Sequence, residues 1–166
     1  IDRGAKGVSV QVNMGSPTEA DMIERLGIIS SDTNYLDVPL LGMIYPRGEN
    51  LSIMDGDVTE GAAHAARLAF ELGCQVVKTK WTGSIESFRR VTTSVPIPVL
   101  IAGGPAGSST EDILQIVYDS MQAGGGGVCM GRQVFSHENP EAMVSALKMI
   151  VHDGSEVSEV MKKCGL

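Results

Sequence analysis

An α/β fold built on a parallel sheet is what this sequence predicts, and three observations carry the prediction. Five short apolar runs alternate with helical patterns at intervals of roughly 20 to 40 residues, as repeated βαβ units do. Glycines stand just beyond three of these runs, at Gly48, at Gly103-Gly104 and at Gly131. Aromatic residues make up only 4% of the chain, so the strands must be thin and packed under helices by Ala, Gly, Val and Ile.

The predicted strands are Gly7 to Met14, Pro39 to Tyr45, Cys74 to Lys80, Ile97 to Ala102 and Gly127 to Met130. In the first, Val8, Val10, Val12 and Met14 alternate with Ser9, Gln11 and Asn13, the two-residue period of a strand with unlike faces. Helical spacing places Met22, Ile23, Leu26 and Ile29 on one face of Glu19 to Ser30. The same spacing predicts Thr59 to Leu72 from its alanines and Leu68, Thr110 to Ala123 from Ile113, Leu114 and Val117, and Pro140 to Val151 from Met143, Val144, Leu147 and Ile150. Ser84 to Val91 is a weaker helical pattern, and Ser108 with Glu111 has capping-box spacing. A closed (β/α)8 TIM barrel needs eight units and about 250 residues. Five units in 166 residues leave two architectures, an open doubly wound sheet or the C-terminal part of a barrel. No linker, second domain or short repeat interrupts residues 1–166, which read as a single domain. The opening Ile1-Asp2-Arg3, without an initiator methionine, reads as the start of a fragment.

The net charge of −7 argues against nucleic acid or an anionic membrane as partner, because both require a basic face. An anionic ligand must therefore be held by a local positive site. Cys74, Cys129 and Cys164 lack CxxC spacing and leave one unpaired, which suits reduced thiols in a cytoplasmic protein. No apolar stretch reaches the length of a membrane span.

Lys78 is the residue that singles out a site. It lies inside Val76-Val77-Lys78-Thr79-Lys80, where an unpaired buried ammonium costs several kcal/mol unless it loses its proton. The amine so formed is a nucleophile able to make a Schiff base with a carbonyl substrate. Strand parity puts Val76, Lys78 and Lys80 on one face, where two lysines repel each other's charge. A lysine paired with a carboxylate would look the same in sequence. Tyr45 ends a strand on the parity of Leu41 and Met43, and Pro46 and Arg47 follow; a phenol there can move a proton, or simply pack. Backbone N–H groups at Gly103 and Gly104 can approach a phosphate, and Gly131-Arg132 can add a guanidinium; ordinary turns use the same glycines. Ser9, Gln11 and Asn13 suit a face that binds hydroxyl groups, although an amphipathic edge strand would look alike. His64 reads as structural, His137 and His152 as solvated, and nothing has the spacing of a metal site.

Across VSVQVNMGS, MIYPRGEN, AAHAARLAFELG, VVKTKWTGSIESF, VLIAGGP and GVCMGRQVF, with the tail KMIVHDGSEVSEVMKK, the chain resembles the archaeal-type class I aldolase family (DhnA/DeoC/LacD-like). That family has a (β/α)8 barrel and includes class I fructose-1,6-bisphosphate aldolase and 2-amino-3,7-dideoxy-D-threo-hept-6-ulosonate (ADH) synthase. The first segment and the tail are more similar to ADH synthase. The YPRG motif separates the chain from autoinducer-2 thiolases, which share the last two glycine elements. The resemblance implies that Lys78 is the Schiff-base lysine and Tyr45 the proton donor. It also implies that Gly103, Gly104, Gly131 and Arg132 bind phosphate, and that Pro46 and Arg47 line the substrate. The implied activity is aldol or transaldol chemistry on a phosphorylated sugar, with aspartate semialdehyde as acceptor on a route to aromatic amino acids, no cofactor or metal, and a homo-oligomeric assembly. By that likeness the chain holds the family's fourth to eighth strands, and the catalytic aspartate of the first strand has no counterpart. Lys80-Trp81 and Ala106 depart from the family pattern and are expected to retune phosphate affinity or sugar choice. Two other readings fit the glycine turns, an FMN-binding barrel and a sugar-phosphate-binding barrel without Schiff-base chemistry.

Overall fold

The protein is described by a computed structural model over residues 4–51, 58–104 and 107–166. Pro105, Ala106 and Ile1-Asp2-Arg3 lie outside the described residues. Five strands run in parallel in chain order: β1 (Val8–Met14), β2 (Leu40–Pro46), β3 (Val76–Thr79), β4 (Val99–Ala102) and β5 (Gly127–Cys129). The helices are α1 (Glu19–Tyr35), α2 (Val58–Glu71), α3 (Ile85–Thr92), α4 (Thr110–Gln122), α5 (Arg132–Phe135), α6 (Pro140–Asp153) and α7 (Val157–Cys164).

The order of the sheet decides between the two architectures that the sequence left open. A doubly wound sheet reverses its strand order and carries helices on both faces. Here each strand pairs with its neighbour in sequence, and burial alternates strictly along β2, β3 and β4. Leu40, Ile44, Val77, Val99 and Ile101 are at most 1% exposed on one face, whereas Leu41, Met43, Val76 and Leu100 are half-exposed on the other. One face covered by helices and one left open is how a wall of a (β/α)8 barrel is built.

Small residues set the closeness of that covering. On α2 the buried stripe is Gly61, Ala62, Ala65, Ala66 and Ala69, so the helix backbone approaches the sheet. Gly42 meets it, and a Cβ there would lie 3.2 Å from the Ala69 Cβ and 2.9 Å from the Cys74 Sγ. Phe88, the largest fully buried side chain, anchors α3 under the sheet.

Helix ends follow local chemistry. Ser84 caps α3 by accepting the Ser87 N–H, and the Ser87 hydroxyl accepts the Ser84 N–H in return. The capping box of α4 is Ser109 with Asp112, one residue beyond the predicted Ser108 and Glu111, because Ser109 is the last residue with extended backbone. Helix α1 runs beyond the predicted Ser30 to Tyr35. It stops where Asp37 takes a left-handed φ of 52°, the Val38 N–H bonding the Thr33 carbonyl and the Asp37 N–H the Asn34 carbonyl. Among the described residues no helix is long and apolar enough to cross a membrane.

Candidate active site

Strand β3 is short, and its ends fix which way Lys78 points. Val77 and Thr79 are fully buried against the helices, so Val76 and Lys78 face the open side. Lys78 is half-buried there and lies outside the helix-packed core. The register pairs it with Met43 on β2 and Leu100 on β4, and the same row continues to Gln11 on β1 and Gly127 on β5. Lys78 thus has apolar residues as its cross-strand neighbours on both sides. Among the described residues no carboxylate lies within ion-pair distance of it, unlike the paired lysine that the sequence also allowed.

The end of β2 carries Tyr45, Pro46 and Arg47. Tyr45 is half-buried on the open face beside Asn13 of β1. It is one strand over from Lys78 and two residues further along, a diagonal of about 8 Å between backbones. Pro46 is buried, and the Arg47 N–H bonds the Met14 carbonyl at 3.0 Å, which ties the exit of β2 to β1. The exposed Arg47 guanidinium lies 5.2 Å from the centre of the Tyr45 ring, within cation–π range. Gly48 follows because the loops touch: a Cβ there would stand 2.0 Å from the backbone of Gly15.

Gly103 and Gly104 leave β4, and Gly131 and Arg132 follow β5. Gln133, which the sequence did not mark, joins the two loops. Its Nε2 donates to the Gly104 carbonyl at 2.9 Å, and its Oε1 would lie 2.3 Å from a Cβ on Gly103. Gly103 is therefore a glycine because an amide lies on it. Arg132 opens α5 with its side chain exposed.

The predicted site residues Lys78, Tyr45, Arg47, Gly103, Gly104, Gly131 and Arg132 stand at the C-terminal ends of four adjacent strands, where parallel α/β proteins bind ligands, whereas Pro46 shares the buried parity of Leu40 and Ile44 on the helix side. Cys129 shares the open face through its pairing with Ala102. His152 is exposed as expected, whereas the other two histidines differ from expectation. His64 is exposed on α2, because the buried stripe of that helix runs through its alanines. His137 is bonded rather than solvated: its Nε2 lies 2.9 Å from the Thr110 hydroxyl, and its Nδ1 accepts the Asn139 N–H at 3.0 Å. Away from the strand ends, burial pushes the Cys74 thiol up to about 11, and a hydrogen bond to Glu156 raises Tyr118. No group of three His, Cys, Asp or Glu side chains among the described residues is placed to hold a metal ion.

The sequence profile described as DeoC/LacD family aldolase matches residues 1–137. The chain belongs to this aldolase family. It is 42% identical to 2-amino-3,7-dideoxy-D-threo-hept-6-ulosonate synthase of Halobacterium salinarum over 100% of its own length and 61% of that protein. It is also 42% identical to the synthase 1 of that name from Archaeoglobus fulgidus, over 98% of the chain and 59% of that protein. Among solved structures it matches an archaeal fructose-1,6-bisphosphate aldolase whose catalytic lysine is covalently bound to the carbinolamine intermediate of the substrate. That match has a TM-score of 0.83 and 33% identity, over 90% of this chain and 59% of the other. The chain thus spans about 60% of the length of the relatives it matches. Its five parallel strands follow the sheet of these TIM-barrel aldolases.

Proposed function

We propose that the protein is a Schiff-base aldolase or transaldolase acting on a phosphorylated sugar. The observation that carries this reading is Lys78, set between Met43 and Leu100 on the open face with no carboxylate partner among the described residues. In the free amine form its Nζ attacks the ketone carbon and gives a carbinolamine, which takes up a proton on its hydroxyl and loses water to give a protonated imine. The bond between the carbon next to the imine carbon and the hydroxyl-bearing carbon beyond it then breaks, and its electron pair moves into the enamine. The hydroxyl of the departing aldehyde gives up its proton as that bond opens. Tyr45, on the neighbouring strand, is the group we assign to carry protons. The turns at Gly103-Gly104 and Gly131-Arg132 are assigned to hold the phosphate, and Arg47 to line the substrate, with the buried Pro46 setting the exit of β2 behind it.

Between family activities, the likeness to the two synthases favours ADH synthase, a transaldol reaction that passes the enamine fragment to aspartate semialdehyde. The match to the archaeal bisphosphate aldolases supports direct cleavage of fructose 1,6-bisphosphate as the second reading. The same proposal gives a cytoplasmic homo-oligomer serving aromatic amino acid biosynthesis, with residues 1–166 as one domain forming a continuous arc of the barrel wall. Steady-state assays on the full-length protein separate the readings. Consumption of aspartate semialdehyde with a ketose phosphate supports the synthase, and cleavage of the bisphosphate alone supports the aldolase. In either assay Lys78→Ala is expected to lose about a thousandfold or more in turnover. Near-wild-type turnover of that variant would defeat the mechanism.

A further inference from the structure

Gln133 and Phe135 stand on α5, and each lies on a glycine of a different turn. A Cβ on Gly103 would come within 2.3 Å of the Gln133 Oε1, and one on Gly131 within 3.1 Å of the Phe135 Cε1. Neither glycine has a left-handed φ, so closeness rather than backbone conformation accounts for both. The Gln133 Nε2 donates to the Gly104 carbonyl at 2.9 Å. On the other side the Gly131 carbonyl accepts the N–H groups of Val134 at 2.8 Å and Phe135 at 3.1 Å. Beyond α5 the His137 Nε2 lies 2.9 Å from the Thr110 hydroxyl at the start of α4. The segment from Gly131 to His137 is therefore a strap, fastened near both ends of the loop that joins β4 to α4. That fastening does little for the fold. A glutamine held in one rotamer gives up much of the freedom of a long side chain, and a neutral hydrogen bond at a half-buried position barely offsets the loss. What the bond does fix is the spacing of two turns that leave different strands. Donors on separate loops grip one anion well only when their spacing is set beforehand, because ordering them on binding is subtracted from affinity.

We infer that Gln133 is a positioning residue, which holds the Gly103-Gly104 and Gly131-Arg132 turns at the spacing that makes them one phosphate cradle. It acts through the Gly104 carbonyl and not by a contact of its own with the phosphate. The inference rests on the assignment of a sugar phosphate to these turns. It makes the Gln133 amide a determinant of the preference for phosphorylated over unphosphorylated ketoses.

The test compares the full-length protein with its Gln133→Met and Gln133→Ala variants, neither of which changes the charge beside the turns. Methionine keeps the unbranched length and cannot donate, whereas alanine also vacates the space over Gly103. The bonds of the Gly131 carbonyl and of His137 remain in both, so the strap is expected to stay in place, and urea midpoints check that the variants fold. Two quantities are read. One is calorimetric binding of inorganic phosphate. The other is the concentration of dihydroxyacetone phosphate, against that of dihydroxyacetone, that half-saturates borohydride trapping of the imine. Gln133→Met is expected to weaken phosphate and the phosphorylated ketose about five- to tenfold, as the loss of one hydrogen bond does, and the plain ketose by less than about twofold. Gln133→Ala is expected to do so at least as strongly. An unchanged preference for the phosphorylated ketose in both variants overturns the inference. So does an equal loss for the two ketoses, which would mean that Gln133 supports Lys78 or the fold as a whole. If the unsubstituted protein traps neither ketose, the Schiff-base reading fails, and the phosphate arm still decides for or against Gln133. If it binds no phosphate, the inference fails together with the phosphate assignment.

Discussion

Leu100 and Ile101 are consecutive on β4, yet Ile101 is fully buried under the helices and Leu100 is half-exposed on the open face. The same division runs through Lys78 and Thr79 on β3 and through Met43 and Ile44 on β2. One side of each strand is committed to holding the fold, and the other is free to carry chemistry. On the covered side the strands present apolar or closely fitted residues, Thr79 apart, to the point that Gly42 leaves room for Ala69 and Cys74. On the open side a lysine, a tyrosine and a row of polar residues coexist with Leu41, Met43 and Val76. A charge is tolerated there because water and ligand can reach it, whereas beneath the helices it would be stranded.

Paired substitutions measure that difference. Ile101→Ala removes a fully buried side chain and is expected to destabilise the chain by about 2–5 kcal/mol. Leu100→Ala next to it is expected to cost less than half as much. Urea midpoints of the two variants check this, and equal losses would mean that the faces are not distinct.

A smaller effect comes from Cys74, packed against Gly42 on the covered side. Burial raises its pKa from 9.0 to about 11, so the folded chain holds this proton more tightly than the unfolded chain does. Its contribution is intact below pH 9 and is lost as pH rises from 9 to about 11, on the order of 2 kcal/mol in all. Denaturation at pH 8 and 10.5 should show that decline, and Cys74→Ala should flatten it.

Thr79 provides the smallest test. Its Oγ1 is buried and has no hydrogen-bond partner in the structure. Thr79→Val keeps the shape and removes the unpaired hydroxyl, and a gain of about 1 kcal/mol is expected. A loss of that size would mean that the hydroxyl is satisfied.

The strands were legible in sequence because their apolar runs and parity are local properties: four lie within the predicted ranges, and β2 runs one residue beyond Tyr45 to Pro46. The open side of β1 was legible for the same reason, since Ser9, Gln11 and Asn13 alternate with valines. Helix α7 was missed although Val157, Val160, Met161 and Cys164 follow helical spacing, because eight residues give that pattern little weight. The end of α1 was set short because Asp37, rather than a glycine, takes the left-handed turn. Gln133 carried no signal at all, as its bond to Gly104 joins loops 29 residues apart. The lack of a carboxylate beside Lys78 was equally invisible, since it depends on which strands become neighbours.

We propose that Lys78, and no other amine on that face, condenses with the substrate carbonyl. Borohydride reduction of the full-length protein with a ketose phosphate, followed by peptide mass mapping, tests it directly. The expected result is one reduced adduct on Lys78, with tryptic cleavage blocked after that residue and intact after Lys80. An adduct on Lys80, or none at all while the sugar phosphate is being turned over, would contradict the account.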